Sequence, residues 1–531
     1  MEQFLQTETV IIEMLLVVSL VAIAVRRLRV PYTVALVLAG LAITLQQPLV
    51  FELTPELILA LFVPPLVFEA AFHLSFNELR RNLAPILLFA VPGVLLTTFI
   101  VGGIVSWGTA LAFPVALVFG ALIAATDPIA VVSLFRSLGV PKRLSVLIEG
   151  ESLLNDGTAI VIYSIVLAVA MGGEFDAVEA FVDFTRVAVG GTVVGLLLGW
   201  LIARLIAGVD DYLIETTLTT ILAFGAYLLA ERLHFSGVLA VVAAGLVNGN
   251  IGPRGMSPST RIVIFNFWEY VAFLANSLIF LLIGLQVNLA SLAANWQLIV
   301  WGMAGVIVAR VAVVYGLSAL GNRILDVPIP FRWQHVLSWG GLRGAISLAL
   351  ALSLPVALGP EREQLRVMTY GVVLFTLLSQ ATTMRPILRL LKVITRSDGQ
   401  LEYEKRHARL TAARAAESHL KNLYAQGLVS AHTFELLTPT MQTEIGAYAE
   451  AVREVLRSIP ELEAEEIDTT QREVLRAQRS ALLGLRRDGV ISDDVFEALS
   501  AEVDARLAAE RLGIETDRRD ETDENRMAEP G

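Results

Sequence analysis

The sequence predicts an all-α polytopic membrane protein that carries a helical C-terminal domain. Hydrophobic residues make up 55% of the 531 residues and charged residues only 17%, and the mean hydropathy of +0.66 exceeds that of an ordinary soluble protein. Apolar runs of bilayer-spanning length recur along residues 8–391. After about residue 395 the composition changes to Arg-, Glu- and Ala-rich helix formers.

Windows of about 20 apolar residues define about 13 candidate transmembrane spans. They lie near residues 8–25, 30–46, 56–74, 83–106, 113–136, 145–171, 180–207, 213–231, 236–250, 261–286, 297–320, 334–354 and 366–391. The N-terminal MEQFLQTETV lacks the basic region of a cleavable signal peptide. The first apolar run is therefore expected to remain as a span.

Basic residues predict the orientation of the spans, because short cytoplasmic loops are enriched in Lys and Arg. With the N-terminus outside, the inside loops contain the basic residues Arg26, Arg27, Arg29, Arg80, Arg81, Lys142, Arg143, Arg254, Arg323 and Arg332. The other loops hold only Arg232, Arg362 and Arg366. This pattern predicts an N-terminus outside and a C-terminus in the cytoplasm.

The chain beyond the last span predicts a helical cytoplasmic domain over residues 396–512 and an acidic, disordered tail over residues 513–531. A weak repeat relates residues 423–437 to residues 485–499, with Leu, Gly, Ser and Phe-Glu at matching positions. Glycine at a helix end followed by a serine N-cap predicts a helical hairpin that is used twice. The simpler interpretation is packing of helices on each other, and ligand sensing is the alternative.

The composition also excludes several classes of function. Cysteine is absent, so disulfides, thiol chemistry and thiolate metal sites are excluded. The formal net charge of −11 resides largely in the C-terminal part and gives no support for nucleic acid binding. No span pairs a serine nucleophile convincingly with His or Lys. We therefore expect neither an enzyme nor a bound cofactor.

A cluster of polar residues lies inside the sixth span. Each charge near the bilayer centre costs about 2.5–3.5 kcal/mol, so acids in a span indicate an ion or proton path. Glu151 and Asn155 are four residues apart, as are Ser152 and Asp156. All four side chains therefore occupy one face of a single helix, about halfway through the bilayer.

The fifth span contains a predicted helix break at the same depth. Pro128 has no amide hydrogen and disfavours helical geometry at Asp127. A break near the bilayer centre is tolerated where it lines a cavity, and it exposes carbonyl groups that can bind an ion. The carbonyl of Thr126 is thus a candidate ligand.

The twelfth span has a matching irregular stretch, residues 338–344, with three glycines and Arg343. The arginine cannot be neutral, so it must face acids or helix C-termini. Asp127 can likewise compensate helix N-termini. Taken singly, a proline kink, a glycine-rich contact, a buried arginine or an amide such as Asn155 is most simply structural. The proline kink, the glycine-rich stretch and the buried arginine, taken together at one depth, predict an ion site.

Four motifs resemble the sodium/proton antiporters of the first cation:proton antiporter branch, which includes bacterial antiporters and animal exchangers. They are ATDPIAVVSLF at 125–135, EGESLLNDG at 149–157, LLAERLHFSGVLAVVAAGLV at 228–247 and SWGGLRGAISLAL at 338–350. The resemblance implies 13 helices in two inverted repeats within residues 1–395, with crossed broken helices in spans 5 and 12. A core of spans 4–6 and 11–13 would move, elevator-like, against a dimerisation domain made of the remaining spans.

The resemblance also implies a role for each polar residue. Asp156 would bind the cation or the proton. Further Na⁺ ligands would be Ser152, Glu151 and the carbonyl of Thr126. The supporting network would comprise Asp127, Asn155, Arg343 and Glu69, the last as a partner of Arg343. Asn155 before Asp156 implies exchange of one proton for one cation.

The expected function is secondary active exchange of Na⁺, or Li⁺, for H⁺ by a homodimer in a bacterial inner or plasma membrane, with a role in pH homeostasis. Two alternatives remain open from the sequence. A K⁺/H⁺ antiporter on the same scaffold would differ only in the size of the site. A membrane protein that senses ions without transporting them would bind a cation and show no flux.

Overall fold

The computed structural model describes residues 2–28, 31–46, 57–209, 211–252, 256, 258–323, 327–394, 398–487, 489–503 and 506. Within these residues all the regular elements are helices. The chain divides into two compact units, Met1–Thr395 and Arg396–Gly531.

Helices interrupted by short turns make up the first unit. In chain order they are α1 (Glu2–Leu28), α2 (Tyr32–Gln46), a π-helical turn (Leu57–Phe62), α3 (Val63–His73), α4 (Phe76–Arg81), α5 (Leu83–Ala90), α6 (Pro92–Gly108), α7 (Phe113–Leu122), α8 (Ile129–Leu138), α9 (Lys142–Ala170), α10 (Ala177–Ile206), α11 (Tyr212–Arg232), α12 (Gly237–Ile251), α13 (Pro258–Gln286), α14 (Leu289–Ala294), α15 (Trp296–Gly321), α16 (Phe331–Trp339), α17 (Ala345–Leu352), a 3₁₀ turn (Val356–Leu358), α18 (Pro360–Phe375), a second π-helical turn (Thr376–Ala381) and α19 (Thr382–Leu390).

Seven helical stretches in the described part of the chain are long and apolar enough to cross a membrane, by length and composition. They are Leu83–Gly108, Lys142–Ala170, Ala177–Ile206, Tyr212–Arg232, Thr260–Gln286, Trp296–Gly321 and Pro360–Leu390. Shorter apolar helices include Tyr32–Leu45, Ile58–His73 and Phe113–Leu122. Each predicted span coincides with one helix or with consecutive helices. The all-helical class with membrane-spanning segments is therefore confirmed.

Small residues allow the long helices to approach each other closely. Helix α10 packs against α12, and it does so through glycines at every fourth position, namely Gly191, Gly195 and Gly199. A Cβ atom on Gly195 would lie 2.0 Å from the carbonyl oxygen of Ala240. Close backbone packing over small residues is typical of helices in membranes, where burial of apolar surface gives no driving force between them.

Both predicted helix breaks are observed, and they meet. Helix α7 ends before the break and α8 begins only at Ile129. Helix α16 ends at Trp339 and α17 begins at Ala345. The amide of Asp127 in the first break donates to the carbonyl of Leu342 in the second, at 2.8 Å. This contact positions the two irregular segments directly against each other.

The second unit contains α20 (Asp398–Ala425), α21 (Ala431–Ser458), α22 (Pro460–Arg487) and a helix over residues 493–503. Both copies of the repeat have the predicted glycine in the left-handed region, and the predicted serine cap is observed in the first copy. Gly427 and Gly489 have positive φ angles of 73° and 69°. The Oγ of Ser430 accepts a hydrogen bond from the amide of Thr433 at 3.3 Å and caps α21. The predicted acidic tail, residues 513–531, lies outside the described residues, as do Arg29 and Arg254 of the predicted basic loops.

Candidate functional site

The polar face predicted on α9 contacts the break between α7 and α8. The hydroxyl of Ser152 donates to the carbonyl oxygen of Thr126 in a short hydrogen bond. The side-chain amide of Asn155 donates to Oγ1 of Thr126 at 2.6 Å, and its Oδ1 accepts from the amide of Thr126 at 3.4 Å. Three hydrogen bonds thus fix one residue of the break to the middle of α9.

Asp156 lies on the same face and is only partly buried. Its Oδ1 atom is buried and has no hydrogen-bond partner within the described part of the chain. An ionised carboxylate can only accept hydrogen bonds, and an unpaired buried charge is costly. Asp156 therefore has both the chemistry and the vacant oxygen to hold a proton or a cation.

Asp127 is held by the backbone around it. Its Oδ1 accepts from the amide of Ile129 at 3.0 Å, at the start of α8. Its own backbone amide donates to the carbonyl oxygen of Leu342. A carboxylate at a helix N-terminus satisfies a free amide and interacts favourably with the helix dipole. The carboxylate of Asp127 thus lies at the N-terminus of α8, and its role in the supporting network stays a prediction.

Arg343 is 1% exposed and faces the end of α7. Its Nη1 donates to the carbonyls of Ala124 at 2.9 Å and Ala125 at 3.1 Å. The sequence left acids and helix C-termini as possible partners for Arg343. The observed contacts are with carbonyls at a helix C-terminus. Glu69 has its Oε1 3.2 Å from Nδ1 of His73, and its predicted pairing with Arg343 stays a prediction.

A second buried arginine, Arg310 of α15, was not predicted from the sequence. Its guanidinium contacts both carboxylate oxygens of Glu151, with a short Nη1 to Oε1 contact and 3.2 Å from Nη2 to Oε2. The same guanidinium donates to the carbonyl of Leu337 at 3.1 and 2.8 Å. The sequence did contain a feature that indicates a buried partner for Arg310, because Arg310 is the one charged residue in the span 297–320.

This ion pair changes the interpretation of Glu151. The carboxylate was predicted as a cation ligand, but both of its oxygens are engaged by Arg310 and the residue is 3% exposed. A carboxylate in a buried bidentate pair is poorly available to a second cation. Its role as a ligand stays a prediction, whereas its pairing with Arg310 is part of the structure.

The two arginines act in the same way on the two broken helices. Arg343 contacts carbonyls just after the last turn of α7, and Arg310 contacts the carbonyl of Leu337 in the last turn of α16. The last carbonyls of a helix have no partner within the helix and carry its partial negative charge. With both helix ends capped by guanidinium groups, Asp156 is left as the acid of α9 with a vacant oxygen.

The crossing of the breaks has no space for a side chain at Gly344. A Cβ atom there would lie 2.3 Å from Oδ2 of Asp127 and 2.5 Å from its Cβ. We expect Gly344→Ala to lower the free energy of unfolding by about 1–3 kcal/mol, the usual range for overpacking, measured as a fall in melting temperature in detergent. Gly316→Ala in α15 is the matched control, since no atom lies within 4 Å of a Cβ there. Equal melting temperatures for the two variants would contradict this prediction.

Comparisons with known proteins agree on one family. The model of the family described as "Sodium/hydrogen exchanger, transmembrane" matches residues 14–390. The chain is 37% identical over 498 residues to the Na(+)/H(+) antiporter NhaG of Bacillus atrophaeus, covering 90% of this chain and 93% of that protein. It is 41% identical over 394 residues to the Na(+)/H(+) antiporter ApNhaP of Aphanothece halophytica, covering 74% of this chain and 75% of that protein.

A solved structure has a similar fold. It is that of the sodium proton antiporter MjNhaP1 from Methanocaldococcus jannaschii at pH 8, with a TM-score of 0.59 and 22% sequence identity. The similarity covers 75% of this chain and 100% of that chain.

Proposed function

Because this chain belongs to the sodium/hydrogen exchanger family, and is thereby an integral membrane protein, we propose that it is a secondary active transporter that exchanges Na⁺ for H⁺. Its relatives NhaG and ApNhaP are named for this activity. The observation that carries the proposal for this chain is the vacant, buried Oδ1 of Asp156 beside the crossing of two broken helices. The chain is on this view a transporter and not an enzyme.

Exchange follows from competition at one carboxylate. Asp156 binds either a proton or a partly dehydrated cation, so binding of one displaces the other. The bare carboxylate then never has to cross the low-dielectric centre of the bilayer. This is why the two ions move in opposite directions on the same group.

The Na⁺ ligands that we propose are Asp156, the hydroxyl of Ser152 and the carbonyl of Thr126. All are oxygen donors, which suit a hard cation. Glu151 we assign to the supporting network with Asp127, Asn155 and Arg343, because Arg310 occupies its carboxylate. The hydroxyl of Ser152 donates to the carbonyl of Thr126, and its lone pairs remain available to a cation.

For the whole molecule we propose about 13 spans, an N-terminus outside and a cytoplasmic C-terminus. Helices at each predicted span support this count. We further propose a homodimer in which the core of spans 4–6 and 11–13 moves against the remaining spans. The hydrogen-bonded crossing of the two breaks supports a core that moves as one body. The bacterial relatives support a bacterial plasma membrane.

The experiment that tests the function measures proton flux in proteoliposomes against pH, with an imposed gradient of Na⁺, Li⁺ or K⁺. We expect Na⁺ and Li⁺ to drive proton movement. Exchange driven by K⁺ alone would show that the protein is a K⁺/H⁺ antiporter. Cation binding without proton flux driven by Na⁺, Li⁺ or K⁺ would show that the protein senses ions without transporting them.

The stoichiometry has its own expected result. If one H⁺ exchanges for one Na⁺, no net charge crosses the membrane. The flux should then be unchanged when a K⁺ gradient with valinomycin clamps the potential at zero or at about −100 mV, a difference worth about 2.3 kcal/mol per transported charge. A rate that follows the clamped potential would show net charge movement and overturn one-for-one exchange.

A further inference from the structure

Arg143 occupies an unfavourable position for a cation. It is the second residue of α9, whose first turn contains Lys142 and no acidic residue. The N-terminus of a helix carries partial positive charge, so cations there are disfavoured. The position of Arg143 is therefore explained by its contacts with other segments.

In these contacts all three nitrogens of the guanidinium group donate hydrogen bonds, each to a different acceptor. Its Nε donates to Oδ1 of Asn82 at 2.9 Å. Its two terminal nitrogens donate to the carbonyls of Val327 at 2.8 Å and of Pro328 at 3.1 Å. The group also lies over the ring of Trp333, 5.7 Å from its centroid. A lysine ammonium cannot reach these separate acceptors in one geometry.

The two segments that Arg143 contacts are themselves held by side-chain hydrogen bonds. Asn82 is buried between α4 and α5, and its Nδ2 donates to the carbonyl of Glu78 at 2.9 Å, which turns Oδ1 toward Arg143. On the other side, Ile329 exchanges two hydrogen bonds with the side chain of Asn322, at 2.7 and 3.1 Å. Arg143 thus connects two ordered backbone segments, one of which leads directly into α16.

Arg310 makes the corresponding link at the other end of α16, where it joins Glu151 of α9 to Leu337. Glu151 follows Arg143 by eight positions, a rise of about 12 Å. The nine residues of α16 rise by about 14 Å. The two arginines therefore attach α16 to α9 over nearly its whole length, although α9 and α16 share little direct packing.

We propose that Arg143 is a positioning residue for transport. Together with Arg310 it holds the half-helix α16 in register with α9. The break after α16 then keeps its contact with Asp127, and the break at Thr126 stays beside Asp156. The proposal rests on the proposed function, because α9 carries the carboxylate that we assign to ion binding.

The test uses Arg143→Met in the full chain. We expect the half-saturating Na⁺ concentration to rise about 5-fold or more and the pH profile of flux to shift, while the maximum rate changes less than about 2-fold. Arg143→Lys should lie between this variant and the wild type. Lys142→Met is the matched control, since that ammonium lies 3.9 Å from Glu78 on a side chain that is 76% exposed. It should leave both quantities unchanged.

A purely structural role predicts a different result. Fewer folded molecules would lower the maximum rate and leave the half-saturating Na⁺ concentration and the pH profile at their wild-type values, and that outcome overturns the proposal. Equal shifts in the Lys142→Met control would overturn it as well. If Arg143→Met fails to fold, Asn82→Leu removes one of the three acceptors, and it should raise the half-saturating concentration in the same direction.

A second measurement does not depend on transport. Because the chain has no cysteine, spin labels can be placed at Asn77→Cys in α4 and Arg332→Cys in α16, both at exposed positions. Pulsed dipolar spectroscopy should give a distance distribution that broadens in Arg143→Met and stays narrow in Lys142→Met. An unbroadened distribution would overturn the positioning role. A wild-type protein without flux would overturn the proposed function alone.

Discussion

Replacing Asp156 with asparagine is expected to abolish Na⁺-driven proton flux, with a fall of about 100-fold or more, equivalent to about 2.7 kcal/mol in the rate-determining barrier. Asparagine has nearly the same shape but can neither ionise nor take up a proton in this pH range. Since Asp156 alone has a vacant buried carboxylate oxygen on the polar face of α9, no neighbouring group there can replace it. The measurement is proton flux in proteoliposomes with an imposed Na⁺ gradient.

The matched control is the same chemical change at the neighbouring acid. In Asp127→Asn the retained Oδ1 can still accept from the amide of Ile129, a contact of 3.0 Å. The crossing of the breaks should survive, and we expect a reduction of about 10-fold or less. Wild-type rates in Asp156→Asn would remove Asp156 from the site. Equal losses in both variants would show that transport needs both carboxylates, and would contradict the assignment of Asp127 to a supporting role.

The second large effect concerns the ion pair between Arg310 and Glu151. Removing one partner leaves an uncompensated charge in the interior, which destabilises proteins by about 3–5 kcal/mol. We therefore expect Glu151→Leu and Arg310→Met each to lower the melting temperature in detergent strongly. Arg310→Met also frees the carbonyl of Leu337, so it should be the more damaging of the two.

The double variant Glu151→Leu/Arg310→Met separates the two roles open to Glu151. Replacing a whole buried pair with apolar residues is often close to neutral, so much of the lost stability should return. If Glu151 only supports the fold, Na⁺ affinity should return with it. A stable double variant with weak Na⁺ binding would instead restore Glu151 to the set of ligands. No recovery of stability would contradict the pairing as the source of the effect.

Much of the fold follows from local properties of the sequence. The helices at the predicted spans arise from apolar runs of bilayer length, which must satisfy their backbone hydrogen bonds internally. The break near Asp127 arises from the missing amide of Pro128, and the hairpin turns of the second unit from glycines that accept positive φ angles. Such features depend on a few neighbouring residues, so the sequence alone is sufficient to predict them.

The site followed from the sequence only in part. The spacing of Ser152, Asn155 and Asp156 on one helix determined that they share a face. The sequence could not determine which oxygen would be left vacant. That depends on the partners that the other acids find, and the partner of Glu151 lies 159 positions away at Arg310.

The arginines illustrate the same limit. That Arg343 must find a carboxylate or a helix end followed from its permanent charge. Its contact with Ala124, 219 positions earlier, was decided by the crossing of two distant breaks. Arg143 resembled an ordinary basic loop residue of the kind that orients a span. Its contacts with Asn82 and Val327 depend on three segments that meet only in the folded chain. The sequence thus determined which groups need partners, and only the tertiary structure decided which partners they have, because hydrogen bonds and ion pairs act over a few ångströms whatever the separation along the chain.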